Sequence, residues 1–311
     1  MSSDELILYH YDGSPFAEKI RLAMGLKKLH WRSVHVPSVP PRPLLGCLTG
    51  GYRRIPVMQI GADIYCDTHL ILRTLDRVRP DVVPLFSNST TQPLCWWWDK
   101  ATFVPMATLW FALHGKSLPQ EFIDDRTKFA PQFDLSKVAN EENIVLNVQR
   151  IKSHFSWLTD ILADGRLFLQ GEPSALDITA YHILWFAKKK FTNGAKDLLP
   201  EFYQSKLFCS WYERVAALGH GVSEEMTAEQ AFEIAKQAEP IQPKYLSNDP
   251  NNEWSLGDRL YVTPDDMGRV PVEGTLVAAD DHEIVLQISN EQAGNIHVHF
   301  PRAGFDVTKI T

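Results

Sequence analysis

The chain has 311 residues, 22% of them charged and 44% apolar, with a formal net charge of −7. This is the composition of an ordinary globular protein, and it excludes collagenous, coiled-coil and wholly disordered chains. No run of about eighteen uncharged apolar residues occurs, so no spanning helix is expected; the opening MSSDELILYH lacks the basic and apolar regions of a secretory signal.

The charge is uneven. Residues 1–240 hold 26 Lys+Arg and 27 Asp+Glu, a net of −1, whereas residues 241–311 hold 5 and 11, a net of −6. An acidic end repels phosphates and anionic lipid, so neither nucleic acid nor membrane is expected as a partner. The four cysteines (Cys47, Cys66, Cys95, Cys209) form no CxxC pair. That usage fits a reducing, cytoplasmic setting and argues against a structural zinc site.

In chain order, Leu6–Tyr9 reads as a buried strand broken by Asp12-Gly13-Ser14-Pro15. Ser14 suits an N-cap and Pro15 the first helical position. Phe16, Ile20, Ala23 and Met24 then line one helix face. Trp31–Val36 is a second strand, and a short helix is expected at residues 44–48. Pro56–Ile60 and Ile64–Cys66, hinged at Gly61-Ala62, read as a hairpin. Asp67 or Thr68 caps a further helix with Ile71, Leu75 and Val78 on its apolar face. The order βαβαββα in about eighty residues indicates a small α/β domain.

From 90 to 240 the pattern turns helical. Ile144, Val148, Ile151, Phe155, Leu158 and Leu162 keep a helical period. Ser174-Ala-Leu-Asp177 resembles a capping box with Asp in the usual Glu or Gln place, opening a helix that is apolar nearly all round. A linker is read at Pro240, Pro243 and residues 247–252. Beyond it the period becomes two, and four or five short strands (259–262, 272–277, 283–288, 296–300, 305–310) point to a small barrel or rolled sheet.

Tyr11-Asp-Gly-Ser14-Pro15-Phe16 with Lys19-Ile-Arg21, Ile55-Pro56-Val57, Asp67-Thr68, and Gly171 with Ser174 and Asp177 occur in the order found in the glutathione transferase superfamily. Over residues 4–240 the chain resembles serine-type members of that family. The resemblance implies an α/β thioredoxin-like glutathione-binding domain (4–82) and an all-α domain (90–240). To these is appended a small all-β, barrel-like module (253–311), similar to the extension of a less studied bacterial and fungal branch.

A glutathione thiol must become a thiolate to attack an electrophile. A helix N-terminus with hydrogen-bond donors lowers a thiol pKa, and Ser14 is placed for that role. Tyr11 and Tyr9 are alternative donors, because other classes of the family use a Tyr near the end of the first strand. By resemblance, Ile55 before a cis Pro56 pairs with the ligand backbone. Asp67 accepts from the γ-glutamyl ammonium, Thr68 and its helix N-terminus hold the carboxylate, and Arg54, or its neighbour Arg53, lies near the ligand. Ser in place of Cys at the reactive turn disfavours thiol-transfer chemistry; Cys66 reads as a buried structural thiol.

In this family the electrophile pocket is lined by helices that here carry Trp96-Trp97-Trp98, Phe103, Trp110 and Phe111. His297 and His299 share a strand face. They read as ordinary strand surface, with Asp258 or His282 as the only candidate third ligands, and no metal is expected. Lys188-Lys-Lys190 suits a helix C-terminus.

The expected activity is that of a cytoplasmic, homodimeric glutathione transferase acting on a small electrophile, apolar or otherwise, as in detoxification. Two other readings stand beside it: a non-catalytic binding or scaffold protein acting through the β module, and a glutathione-dependent isomerase or dehalogenase.

Overall fold

The computed structural model describes residues 5–131, 141–190, 198–243 and 254–310. The linker read at 247–252 lies outside these. By its contacts the chain divides into two compact units, one made of residues 1–17, 30–74 and 222–311, the other of 18–29 and 75–221.

The first unit is built on one ten-stranded sheet, in the order β10-β6-β7-β8-β9-β4-β3-β1-β2-β5. Strand β1 (Leu6–His10) is buried throughout. It pairs in parallel with β2 (His30–His35) and antiparallel with β3 (Val57–Ile60), which forms the expected hairpin with β4 (Asp63–Cys66). The appended strands β6 (Arg259–Pro264), β7 (Val272–Ala279), β8 (Glu283–Asn290), β9 (Gly294–Pro301) and β10 (Phe305–Lys309) are antiparallel neighbours. They join the first domain through β9, which runs parallel to β4 with Asp63 opposite His297 and Tyr65 opposite His299. An edge that would otherwise present unpaired amides is thereby covered.

This junction is a shared core. Ile7, Val57 and Ile64 of the first strands belong to one apolar cluster with Val262, Leu276, Leu286, Val298 and Phe300 of the appended ones. Helix α1 (Pro15–Leu26) follows β1, and helix α2 (Pro43–Thr49) packs into the same core through Leu45 and Leu48. Gly50, the α2 C-cap, has φ +63°. A Cβ there would fall 2.5 Å from Ile288 Cδ1 and 2.7 Å from Val272 Cγ1, so both conformation and the close approach of β7 and β8 call for glycine.

Strand β5 (Val222–Glu225) interrupts the stretch read as purely helical and pairs with β2. Its four residues are all exposed polar or edge residues, too short to show a period. Among the remaining helices are α3 (Thr68–Val78), α4 (Thr91–His114), α5 (Gln120–Phe129), α6 (Glu141–Leu162), α7 (Ala175–Lys190), α8 (Pro200–Gln204), α9 (Lys206–Ala216) and α10 (Ala228–Gln237). On α3, Ile71 and Leu75 are buried as expected, but Val78 is exposed.

In the second unit α4 packs on α6 and α7, and α7 is buried over nearly its whole surface, as its all-round apolar sequence requires. At its start Asp177 closes back on Ser174, the one half of the anticipated box in which the acidic side chain accepts from the N-cap amide. Asp177 Oδ2 accepts from the Ser174 amide (3.1 Å) and hydroxyl (3.0 Å). Its Oδ1 accepts from the Leu169 amide and the Trp211 indole, each at 2.8 Å.

Candidate functional site

Three chain segments meet at one end of the first unit's sheet. The register places Tyr9 of β1 opposite Val57 of β3, and Val57 opposite Cys66 of β4. Neighbouring strands lie about 4.8 Å apart. The turn after β1 (Tyr11 to Ser14), the segment before β3 (Arg54, Ile55, Pro56) and the turn after β4 (Asp67, Thr68) therefore emerge side by side. Six of the residues expected to bind or activate glutathione, together with Ile55, lie in these turns.

Ser14 is buried and its Oγ accepts from the Ala17 amide at 3.1 Å, the N-cap geometry for α1. That bond uses an acceptor lone pair and leaves the hydroxyl proton to donate. The Ser14 amide closes the turn onto the Tyr11 carbonyl (3.1 Å), and Tyr11 is half-buried beside it. Tyr9 is different. It is fully buried and donates to Gln59 Oε1 at 2.6 Å, and burial pushes its phenol well above the ordinary value. Tyr9 is a core residue, and its candidacy as thiol activator is withdrawn.

The Ile55–Pro56 peptide is cis. Asp67 has φ +74°, a left-handed conformation that Asp tolerates better than most residues. Its Oδ1 accepts from the His69 amide at 2.9 Å, so it caps α3. Thr68 is buried at the first helical position. Cys66 is fully buried, and burial pushes its thiol well up, as expected of a structural cysteine.

Arg54 carries a contact that its sequence context did not announce. Its guanidinium pairs with Asp266 and donates to the Met267 carbonyl from Nε (3.0 Å) and Nη2 (2.5 Å), with Asp67 Oδ2 at 3.7 Å from Nη1. Asp266 and Met267 lie between β6 and β7 of the appended segment. Arg54 thus ties that segment to the turn holding Asp67. Arg53, half-buried, offers its carbonyl to Arg42 (2.9 Å).

In the second unit the three tryptophans diverge as a helix demands. Trp98 is buried, Trp96 half-buried and Trp97 exposed against His154 and Trp157. The Lys188 ammonium lies 3.8 Å from the centre of the Tyr212 ring and that of Lys189 4.7 Å from the Trp185 ring. The basic run is therefore packed on aromatics in the part described; the Lys190 side chain lies outside it.

His297 and His299 are not strand surface. Both are buried, and they face Asp63 and Glu283, also buried. The expected third groups are elsewhere: Asp258 bonds the Ser255 amide and Lys309, and His282 is exposed. The i, i+2 spacing signalled the pair. Nothing local signalled Asp63, 234 positions before His297, because β4–β9 pairing creates the contact.

The profile of the glutathione S-transferase N-terminal domain matches residues 8–82, and that of the glutathione S-transferase C-terminal domain matches residues 138–203. A GST-like protein from Pseudomonas syringae, solved as a crystal structure, is 33% identical over 99% of this chain and 100% of its own, with a TM-score of 0.81. The chain belongs to the glutathione transferase superfamily. A glutathione S-transferase of Ceriporiopsis subvermispora in complex with glutathione is similar in fold (17% identity, TM-score 0.56), covering 69% of this chain and 98% of that one. The same holds for one from Methylobacillus flagellatus with glutathione bound (16%, 0.51, covering 69% and 99%). Only the first of these three spans the whole chain, so the appended segment is shared with the Pseudomonas protein. No curated protein matches the chain in sequence. Among the described residues, no helix is long and apolar enough to cross a membrane.

Proposed function

We propose that this protein is a glutathione-dependent transferase in which Ser14 stabilises the glutathione thiolate for attack on a small electrophile. The observation that carries the reading is the position of Ser14: a hydroxyl with a free proton at the N-terminus of α1, beside the cis Ile55–Pro56 segment and the capped start of α3. Glutathione supplies the thiol. The Ser14 hydroxyl donates to the sulfur, and the α1 N-terminus adds its partial positive charge. The Ile55 backbone orients the peptide. Asp67 takes the γ-glutamyl ammonium, while Thr68 and the α3 N-terminus take its carboxylate. Arg54 acts as a positioning residue, since its guanidinium is already held by Asp266 and Met267.

A homodimer accompanies this reading. Leu94 and Trp97 on α4 and Trp157 and Ile161 on α6 are exposed apolar side chains that support it.

Calorimetric titration with glutathione, with the thiolate absorbance of the complex, tests the assignment. Wild type binds and shows the thiolate band. Ser14→Ala keeps binding, loses the band, and loses about 10- to 100-fold in kcat/KM, the worth of one hydrogen bond to a charged atom. Absence of heat at millimolar glutathione would sink the enzyme reading in favour of a scaffold role. Loss of the band in Tyr11→Phe but not in Ser14→Ala would move the role to Tyr11.

A further inference from the structure

At the junction of β4 and β9 a set of metal-binding groups converges inside the first unit. His299 Nε2 lies 2.9 Å from Asp63 Oδ1, and His297 Nδ1 lies 3.8 Å from the same oxygen. The donor atoms of Asp63, His297 and His299 all fall within 4.8 Å of one another. Each of these residues is more than nine-tenths buried, and His297 Nδ1 has no hydrogen-bond partner.

The geometry points to a divalent transition-metal site, of the zinc type, held by Asp63 Oδ1, His297 Nδ1 and His299 Nε2. The surroundings of the three donors are those a metal site needs. Glu283 Oε1 sits 2.7 Å from His299 Nδ1. A carboxylate on the outer nitrogen fixes the tautomer that turns a lone pair inward and raises its basicity. The Ile241 amide donates to Asp63 Oδ2 at 2.9 Å, which orients the carboxylate and leaves Oδ1 for the ion. The orphaned His297 Nδ1 gains a partner.

Metal–donor distances of about 2.0–2.2 Å place neighbouring donors roughly 3–4 Å apart. The observed separations reach this range with shifts of under about 1 Å. Two imidazoles and one carboxylate select zinc or a first-row neighbour over calcium and magnesium, which take oxygen ligands. A divalent ion also balances the charges of Asp63 and Glu283. On binding it takes the place of any proton shared between His299 Nε2 and Asp63, and that proton leaves to solvent. The ion would clamp the appended strand β9 to β4 of the first domain. The inference does not depend on the glutathione reading, because its groups lie away from Ser14 and Asp67.

The test uses full-length protein expressed without an affinity tag in zinc- or cobalt-supplemented medium. Metal content is measured after desalting, and the cobalt form is examined for visible d–d bands. The expected result is about one ion per chain, cobalt bands of imidazole-rich coordination, and a Tm above that of chelator-treated protein. His297→Gln should drop the content at least about tenfold, in line with the loss of one metal-binding imidazole, and His35→Ala should leave it unchanged. His35 belongs to the other candidate set among the described residues, the more exposed His10, Asp12 and His35. Wild type carrying no metal in either medium overturns the proposal, as does content that survives in His297→Gln or disappears in His35→Ala. If His297→Gln does not fold, the wild-type metal content, cobalt spectrum and Tm difference decide alone.

Discussion

Strand β4 begins on one aspartate and is followed directly by another, and the two are held in opposite ways. At its far end Asp67 is half-buried and caps the helix that follows, bonding the His69 amide two residues on. At its near end Asp63 is 1% exposed and bonds His299, 236 residues away, and the Ile241 amide, 178 residues away. The first carboxylate organises the turn proposed above to hold glutathione. The second joins two separately encoded pieces of sheet. A carboxylate at a helix start keeps solvent and ligand within reach, whereas one inside a strand junction must be matched group for group, because a buried charge without partners is costly.

The contrast predicts a large difference on truncation. Asp63→Ala leaves His299 and the Ile241 amide facing a void in the sheet. Removing one partner of a buried charged set costs about 3–5 kcal/mol. Urea unfolding should register that loss whether a proton or an ion stands between Asp63 and His299. A loss below about 1 kcal/mol, typical of an exposed pair, would mean that the appended strands are held by their shared apolar core alone.

Asp177 is an intermediate case in the second unit. It bonds Ser174 three residues back and Leu169 eight back, but also the indole of Trp211, 34 residues on. Burial raises its pKa even though these donors oppose the shift. Asp177→Ala removes a cap and strands the buried indole, for an expected loss of about 2–3 kcal/mol. Asp177→Asn retains an acceptor and should lose less. If Asp177→Ala proved costlier than Asp63→Ala, local capping and not remote pairing would be the greater holder of this fold.

The same division decides what could be read from the amino-acid order. Ser14, Asp67 and Asp177 accept from amides two or three residues away, so residue type and spacing reveal them. The appended strands announce themselves by their period of two. Their docking edge does not, because hydrogen-bonding between β4 and β9 leaves no mark on either local pattern. For that reason Arg54 reads as a ligand residue while its guanidinium is held by Asp266, 212 residues away, and His297 and His299 read as surface while facing Asp63 and Glu283. The orphaned Nδ1 of His297 becomes visible only once those partners are in place. Strand β5 is missed because four exposed residues owe their pairing to the β2 edge.

The smallest effects belong to Asp67, where conformation and ligand binding separate. Its φ of +74° costs a residue with an ordinary Cβ about 1–2 kcal/mol, and Asn or Asp less, since their short polar side chains bond locally. Asp67→Ala should therefore lose about 2 kcal/mol, the sum of left-handed strain and a lost cap. Asp67→Asn should lose no more than about 0.5 kcal/mol, because Asn caps as well as Asp and accepts the same backbone. The charge is what Asn lacks. If Asp67 meets the γ-glutamyl ammonium, Asp67→Asn should keep the unfolding midpoint and weaken glutathione binding about tenfold or more, as loss of a charge-assisted hydrogen bond does. Equal glutathione affinity in wild type and Asp67→Asn would leave Asp67 a capping residue only, and the two ends of β4 would then both be structural.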